Sequence, residues 1–106
     1  MEKKLYEMQA ELCKTLSNPK RLEILDILKE REEISVNHLA EMLEIPKANT
    51  SQHLAVLRES HLVNTRRQAQ TVFYSVAPGP VDAIIRTLHG IYCKPPAAGT
   101  ARNKAD

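Results

Sequence analysis

Residues 35–62, SVNHLAEMLEIPKANTSQHLAVLRESHL, decide the fold. The first half has apolar residues at the i, i+3, i+4, i+7 spacing of one helical face, behind Ser35 as an N-cap. These apolar residues are Val36, Leu39, Ala40 and Leu43. Glu44, Ile45 and Pro46 then end that helix, because the residue before a proline avoids the helical region and proline suits the first turn of a new helix. The stretch therefore predicts two short helices joined by a tight turn.

The second helix of this pair carries the polar face. It is predicted to start near Pro46 and to bury Ala48, Leu54 and Leu57, with Ser51 small enough to lie against the first helix. The outward positions are Lys47, Asn49, Thr50, Gln52, His53 and Arg58, and with Ser51 they are the candidate DNA contacts of this helix. Asn and Gln can bind adenine through two hydrogen bonds, while Lys, Arg and His can contact guanine or phosphate. We interpret the pair as a helix-turn-helix with its second helix in the DNA major groove; the alternative is an ordinary helical hairpin with a solvated polar face.

Residues 61–76, HLVNTRRQAQTVFYSV, change from helical periodicity to alternation. Their β-branched and aromatic residues predict a two-stranded hairpin with its polar tip at residues 67–70. The polar residues that could contact phosphates or the minor groove are Arg66, Arg67, Gln68 and Gln70. A hairpin that only covers the core would account for Phe73 and Tyr74 but not for two adjacent arginines. The pattern favours the wing of a winged helix.

Three further helices are predicted around this unit. The first spans residues 3–16, with an apolar stripe of Leu5, Met8, Leu12 and Leu16 beside Tyr6 and Cys13. The second is central and buried, capped by Ser17 or Asn18 with Pro19 in its first turn. Residues 29–33 are predicted to be the end of the second helix and a solvated loop, and the last apolar helix runs from about Pro80 to Cys93. The first and last helices carry more apolar surface than so small a core can use, which predicts a homodimer formed through them.

Composition excludes most other classes of protein. The 106 residues include only three glycines and contain no nucleotide-binding loop and no H-E-x-x-H, so no enzyme, cofactor or catalytic residue is predicted. No stretch reaches about 18 apolar residues and the N-terminus is charged, so we expect no membrane partner and a cytoplasmic location. Residues 47–71 carry four basic and one acidic side chain, a positive footprint that suits double-stranded DNA. One domain is predicted over residues 1–94, followed by a disordered tail at residues 95–106.

The segments LSNPKRLEIL and SQHLAVLRESHLV resemble the ArsR/SmtB family of winged-helix repressors, and the likeness extends over about residues 5–93. The resemblance implies a mainly α fold with a β-hairpin wing, a winged helix-turn-helix that is dimeric through its first and last helices. It also implies a repressor that binds an inverted-repeat operator and is released by an inducer. Ala69 stands where the family usually has a glycine at the wing tip. The family has two known metal sites, and neither has its ligands here. One needs a Cys-x-Cys, and no cysteine lies at residues 35–38. The other needs Asp-x-His and a later His-x-x-Glu, but Ile84 follows Asp82 two positions on and no Glu follows His89.

The two cysteines of the sequence, Cys13 and Cys93, allow three hypotheses about the inducer. Cys93 occupies a place similar to the second cysteine of the family's persulfide-responsive branch, whose first cysteine falls where this chain has Asp26. One hypothesis is thiol oxidation or persulfide sensing at Cys13 and Cys93. Another is a metal or metalloid site made by Cys13, His89 and Cys93, and a third is that both cysteines are small buried hydrophobes. A winged-helix module that binds proteins instead of DNA is the remaining alternative for the whole chain.

Overall fold

The computed structural model describes residues 3–79 and 81–92, and Cys93 and the predicted tail at residues 95–106 lie outside them. Five helices and three strands follow one another along these residues. They are α1 (Lys3–Leu16), α2 (Pro19–Glu30), β1 (Ile34–Ser35), α3 (Val36–Leu43), α4 (Lys47–Glu59), β2 (Val63–Gln68), β3 (Thr71–Val76) and α5 (Val81–Tyr92). The five predicted helices and the hairpin are therefore confirmed, with α1 spanning the predicted residues.

The helix starts follow the capping signals in the sequence. Asn18 Oδ1 accepts hydrogen bonds from the backbone N–H groups of Lys20 at 2.9 Å and Arg21 at 3.1 Å, and Pro19 opens α2. Ser35 Oγ accepts from the backbone N–H of His38 at 3.2 Å and starts α3. Each contact satisfies backbone donors that the first turn of a helix leaves without partners.

The turn between α3 and α4 is made without glycine. Glu44 adopts the left-handed conformation with φ 58°, and the backbone N–H of Ile45 donates to Ala40 O at 3.3 Å. Pro46 is extended and serves as the N-cap residue of α4. These two conformations redirect the chain within three residues, as the predicted helix-turn-helix requires.

The sheet is antiparallel with the strand order β1-β3-β2. The hairpin pairs Val63 with Val76 at its base and Gln68 with Thr71 at its tip, while β1 pairs Ile34 with Tyr74. We call the β2–β3 hairpin, residues 63–76, the wing. Strand β1 was not predicted, because two residues are too few to show an alternating pattern.

Helix α2 lies at the centre of the core, as predicted. Ile24, Leu25 and Leu28 are at most 1% exposed and belong to one cluster with leucines of α3 and α4. Burial of each such side chain contributes about 1.5–3 kcal/mol, so α2 holds the helix-turn-helix in place. Helix α5 packs on α2 through Val81 and Ile85 and through the pair of His89 Nε2 with Asp26 Oδ1 at 3.4 Å.

Helices α1 and α5 leave apolar side chains on the surface of the single subunit. Tyr6 and Ile91 are 56% exposed and Met8 is 61% exposed. None of the helices that the structure describes is both long enough and apolar enough to cross a membrane.

Candidate DNA-binding surface

Helix α4 presents a polar face to solvent and an apolar stripe to the core. Leu54 and Leu57 are fully buried. Five of the six side chains predicted to point outward keep some exposure, and those fully on the surface are Lys47, Asn49, Gln52 and Arg58. Ser51, which was predicted both to lie against α3 and to contact DNA, is also exposed. We refer to α4 as the recognition helix.

Thr50 does not point outward, so this part of the prediction is wrong. Its side chain is completely buried, and its Oγ1 donates to Pro46 O at 3.1 Å. Thr50 precedes Leu54 and Leu57 at the i, i+4, i+7 spacing and completes their stripe. Because the hydroxyl finds a partner one turn back along its own helix, its burial leaves no donor unsatisfied.

Ala48 was predicted to be part of the buried face, and it is exposed. With 3.6 residues per turn it lies about 160° around the helix axis from Thr50. The predicted apolar face is thus correct at Leu54 and Leu57, but in the first turn it continues through Thr50 and not through Ala48. Thr50 was predicted to point outward because threonine is a polar residue type.

His53 lies at the edge of the polar face and is half-buried beside α2. Its Nδ1 is 3.5 Å from Arg21 Nη1, and Arg21 Nε donates to Thr15 O at 2.7 Å. Burial, followed by the charges of Arg21 and Lys20, lowers the pKa of His53 below its usual value of 6.5. Since a guanidinium can only donate, Nδ1 is the acceptor and the neutral ring carries its proton on Nε2.

Arg66 is engaged within the protein. Its Nε and Nη2 donate to the two carboxylate oxygens of Glu33, each at 2.8 Å, and its Nη1 donates to Gln68 Oε1 at 2.9 Å. The guanidinium carbon lies 4.8 Å from the centre of the Phe73 ring. The hydrogen bond to Arg66 is the main reason that the pKa of Glu33 is lowered, and the same bond raises the pKa of Arg66. Glu33 was predicted to lie in a merely solvated loop, and a contact between residues 33 positions apart leaves no local signal.

The wing tip is a two-residue turn. Gln68 pairs with Thr71, so Ala69 and Gln70 form the turn, and the tip is shorter than the predicted residues 67–70. Ala69 has φ 57°, a left-handed conformation that glycine adopts at lower cost. Arg67 and Gln70 are exposed there.

A groove that was not predicted lies between the end of the recognition helix and the base of the wing. Arg58, His61, Val63, Asn64 and Thr65 line it. Asn64 is exposed and lies near Arg58, so it can add a hydrogen-bonding side chain to the same polar surface. Its position depends on how β2 leaves α4, which the residue pattern does not show.

Two of the three predicted sensing residues, Cys13 and His89, lie in the described part of the chain. Cys13 is exposed on α1, so it is not a buried hydrophobe within one subunit. His89 is paired with Asp26, and Cys93 lies outside the described residues. Over residues 3–79 and 81–92, no group of three or more His, Cys, Asp or Glu side chains could hold a metal ion.

Known proteins resemble the chain over most of its length. A family model described as "Bacterial regulatory protein, arsR family" matches residues 18–65. The transcriptional activator HlyU of Vibrio cholerae is 47% identical over 83 residues, which are 78% of this chain and 76% of HlyU. The chain belongs to the arsR family. The biofilm growth-associated repressor of Agrobacterium fabrum is 41% identical over 95 residues, 90% of this chain and 80% of that repressor.

Solved structures agree with this arsR-family assignment. Reduced HlyU from Vibrio cholerae superposes with a TM-score of 0.76 at 44% identity, covering 86% of this chain and 95% of HlyU. NolR from Sinorhizobium fredii gives a TM-score of 0.77 at 40% identity, covering 87% and 94% of the two chains. The predicted family and the winged helix-turn-helix fold are confirmed, and the chain is a DNA-binding transcriptional regulator. HlyU and the biofilm growth-associated repressor are transcriptional regulators.

Proposed function

We propose that the chain is a homodimeric repressor that binds an inverted-repeat operator and is released from it when thiols are modified. The observation that carries the DNA-binding part is the exposed polar face of the recognition helix. Its buried stripe of Thr50, Leu54 and Leu57 packs on the core and turns Asn49 and Gln52 to solvent. The fully exposed apolar residues on this helix are the small Ala48 and Ala55, and none of the large exposed apolar side chains lies on it, which favours DNA recognition over a protein-binding module.

The roles divide between base edges and phosphates. Asn49 and Gln52 lie in the first turns of the recognition helix, where side chains of a helix-turn-helix reach base edges in the major groove. Other exposed polar groups are suited to phosphate or sugar contacts, and they include Lys47, Ser51, Arg58, Asn64, Arg67, Gln68 and Gln70. His53, half-buried at the edge of the same surface, is a further candidate contact.

A dimer accounts for the apolar surface that one subunit leaves uncovered. Tyr6 and Met8 on α1 and Ile91 on α5 are all more than half exposed. Pairing two subunits through these helices would bury the side chains and present two recognition helices. Half-sites about 34 Å apart, one turn of DNA, would then be bound together.

The DNA-binding proposal is tested by titrating labelled intergenic DNA from upstream of the gene against Asn49→Ala and Gln52→Ala. We expect each substitution to cost about 1–3 kcal/mol of specific binding free energy while leaving binding to an unrelated duplex nearly unchanged.

Thr50→Val is the matched control, because it alters a buried residue beside Asn49. It should leave affinity unchanged and lower stability by about 1 kcal/mol at most, since Pro46 O keeps a backbone donor. Equal losses on both DNAs would contradict the assignment to base edges.

Release through thiols rests on the exposed position of Cys13 on α1, one of the two helices proposed to join the subunits. A bond between Cys13 and Cys93 would change how those helices pack and so alter the spacing of the recognition helices. A small change in spacing costs the second half-site.

The test of thiol release is the double variant Cys13→Ser, Cys93→Ser. When reduced it should bind the same DNA as the wild-type protein, and it should stay bound after diamide or persulfide treatment that releases the wild type. A double variant that is still released would exclude these cysteines as the sensor. Failure of the reduced variant to bind would assign the cysteines to packing.

A further inference from the structure

We infer that Arg66 anchors the wing and does not contact DNA, and that Glu33 is the positioning residue that holds it. Arg67 is then the arginine through which the wing contacts phosphate. The inference rests on the proposed DNA-binding function and assigns separate roles to two neighbouring cations that the sequence pattern treats alike.

The first argument is that the donors of Arg66 are occupied. Glu33 binds it through both carboxylate oxygens at 2.8 Å, the fork-to-fork arrangement that is the strongest between these groups. Gln68 takes a third donor and the Phe73 ring lies under the guanidinium. A phosphate would have to displace a geometrically matched carboxylate to reach Arg66.

The second argument is where the contact lies in the sheet. Glu33 immediately precedes β1, and Arg66 lies on β2, so the pair joins the two outer strands across the central strand β3. Phe73 is the β3 residue paired with both Ser35 and Arg66, and it lies beneath the bridge. Outer strands of a three-stranded sheet are about 10 Å apart, a span that two long side chains can close. The wing is thereby tied to the strand that leads into the helix-turn-helix.

The third argument is strand alternation. Successive residues of a strand point to opposite faces, so Arg67 lies on the face opposite Arg66. Among the ion pairs within the described parts of the chain, none involves Arg67. Arg67 is exposed and keeps its charge for an external anion, whereas Glu33 neutralises that of Arg66.

Exchanging the charges of Glu33 and Arg66 distinguishes between Arg66 as an anchor of the wing and Arg66 as a phosphate ligand. The variants are Arg66→Glu, the double variant Glu33→Arg with Arg66→Glu, and Arg67→Gln, which removes the cation assigned to phosphate. Affinity for a fluorescein-labelled duplex of mixed sequence is measured by anisotropy over a series of salt concentrations, and thermal unfolding of each protein shows that it is folded. The double variant keeps the net charge of the wild type and can form the ion pair again with the acidic and basic residues exchanged.

We expect Arg66→Glu to weaken binding and the double variant to recover affinity to within about twofold of wild type, with an unchanged salt slope. Arg67→Gln should lower the slope by about 0.9 for each phosphate that the side chain no longer neutralises.

A folded double variant that stays as weak as Arg66→Glu, with a reduced slope, would make Arg66 a phosphate ligand and overturn the inference. If Arg67→Gln kept the wild-type slope, the assignment of the phosphate contact to Arg67 would be overturned. A wild-type protein without affinity for any duplex would instead refute the proposed function.

Discussion

At the scale of single residues, His53 shows how the recognition helix is coupled to α2. Its ring is half-buried, and Arg21, itself fixed by the end of α1, lies against Nδ1. Protonation of Nδ1 would remove the acceptor and bring two positive charges together. The neutral ring is therefore the form that the folded protein stabilises.

This environment predicts a loss of stability in mild acid. The pKa of His53 is lowered on folding, so the unfolded chain takes up its proton first as the pH falls below 6.5. The stability that the neutral ring contributes is complete above that pH and is lost as the pH falls through the folded pKa. Urea denaturation at a series of pH values should show a flatter decline for His53→Gln than for wild type. Parallel curves for the two proteins would assign the decline to other groups.

Adjacent residues can have unrelated environments, and the two arginines of the wing are an example. Arg66 is paired with Glu33, and Arg67 on the other face of β2 is exposed. Thr50 differs from its neighbours Asn49 and Ser51 in the same way, because about 100° around a helix separates the core from the surface.

At the scale of elements, the wing hairpin is closed by a conformation that its sequence does not favour. Ala69 has φ 57°, and a left-handed conformation costs an L-residue about 1–2 kcal/mol. The two-residue turn is held by the six residue pairs of β2 and β3.

Replacing this residue should change stability in a direction set by backbone strain. We expect Ala69→Gly to raise the free energy of unfolding by up to about 1 kcal/mol, since relief of strain outweighs the entropy of about 0.4–1 kcal/mol that glycine adds to the unfolded chain. Ala69→Val should lower it, because a β-branched residue fits this conformation worst. Urea denaturation measures both, and a loss of stability in the glycine variant would show that the turn is not strained.

At the scale of the whole molecule, the uncovered apolar residues lie on the first and last helices. The helices and strands between them build the core and the polar DNA-binding surface. The surface proposed for self-association is thus separate from the surface proposed for DNA.

This separation predicts that one charge on α1 would dissociate the dimer without unfolding the subunit. Met8→Glu should raise the dimer dissociation constant at least about tenfold, because an unpaired carboxylate would be buried on association. Gln9→Glu adds the same charge at an exposed position beside the predicted stripe and should have little effect. Sedimentation velocity over a range of concentrations distinguishes the two, and equal behaviour would place the interface elsewhere.

The sequence by itself determined the five helices, the wing hairpin and the fold family. The signals for these elements act between residues a few positions apart, so they can be recognised along the chain. They are the helix periods, the caps at Asn18 and Ser35, the proline at residue 46 that ends a helix, and the alternation after residue 61. The same local signals predicted the polar face of the recognition helix, because that face follows from residue types at helical spacing.

Only the tertiary structure decided which of the candidate residues are available to DNA. Glu33 and Arg66 are 33 positions apart, and Arg21 and His53 are 32 apart. Each pair is brought together by the packing of separate elements, and no period in the sequence joins them. Thr50 is buried for the complementary reason, since a polar side chain enters the core once a backbone carbonyl satisfies it. Availability of a side chain depends on its partners in space, and those partners are set when the elements pack.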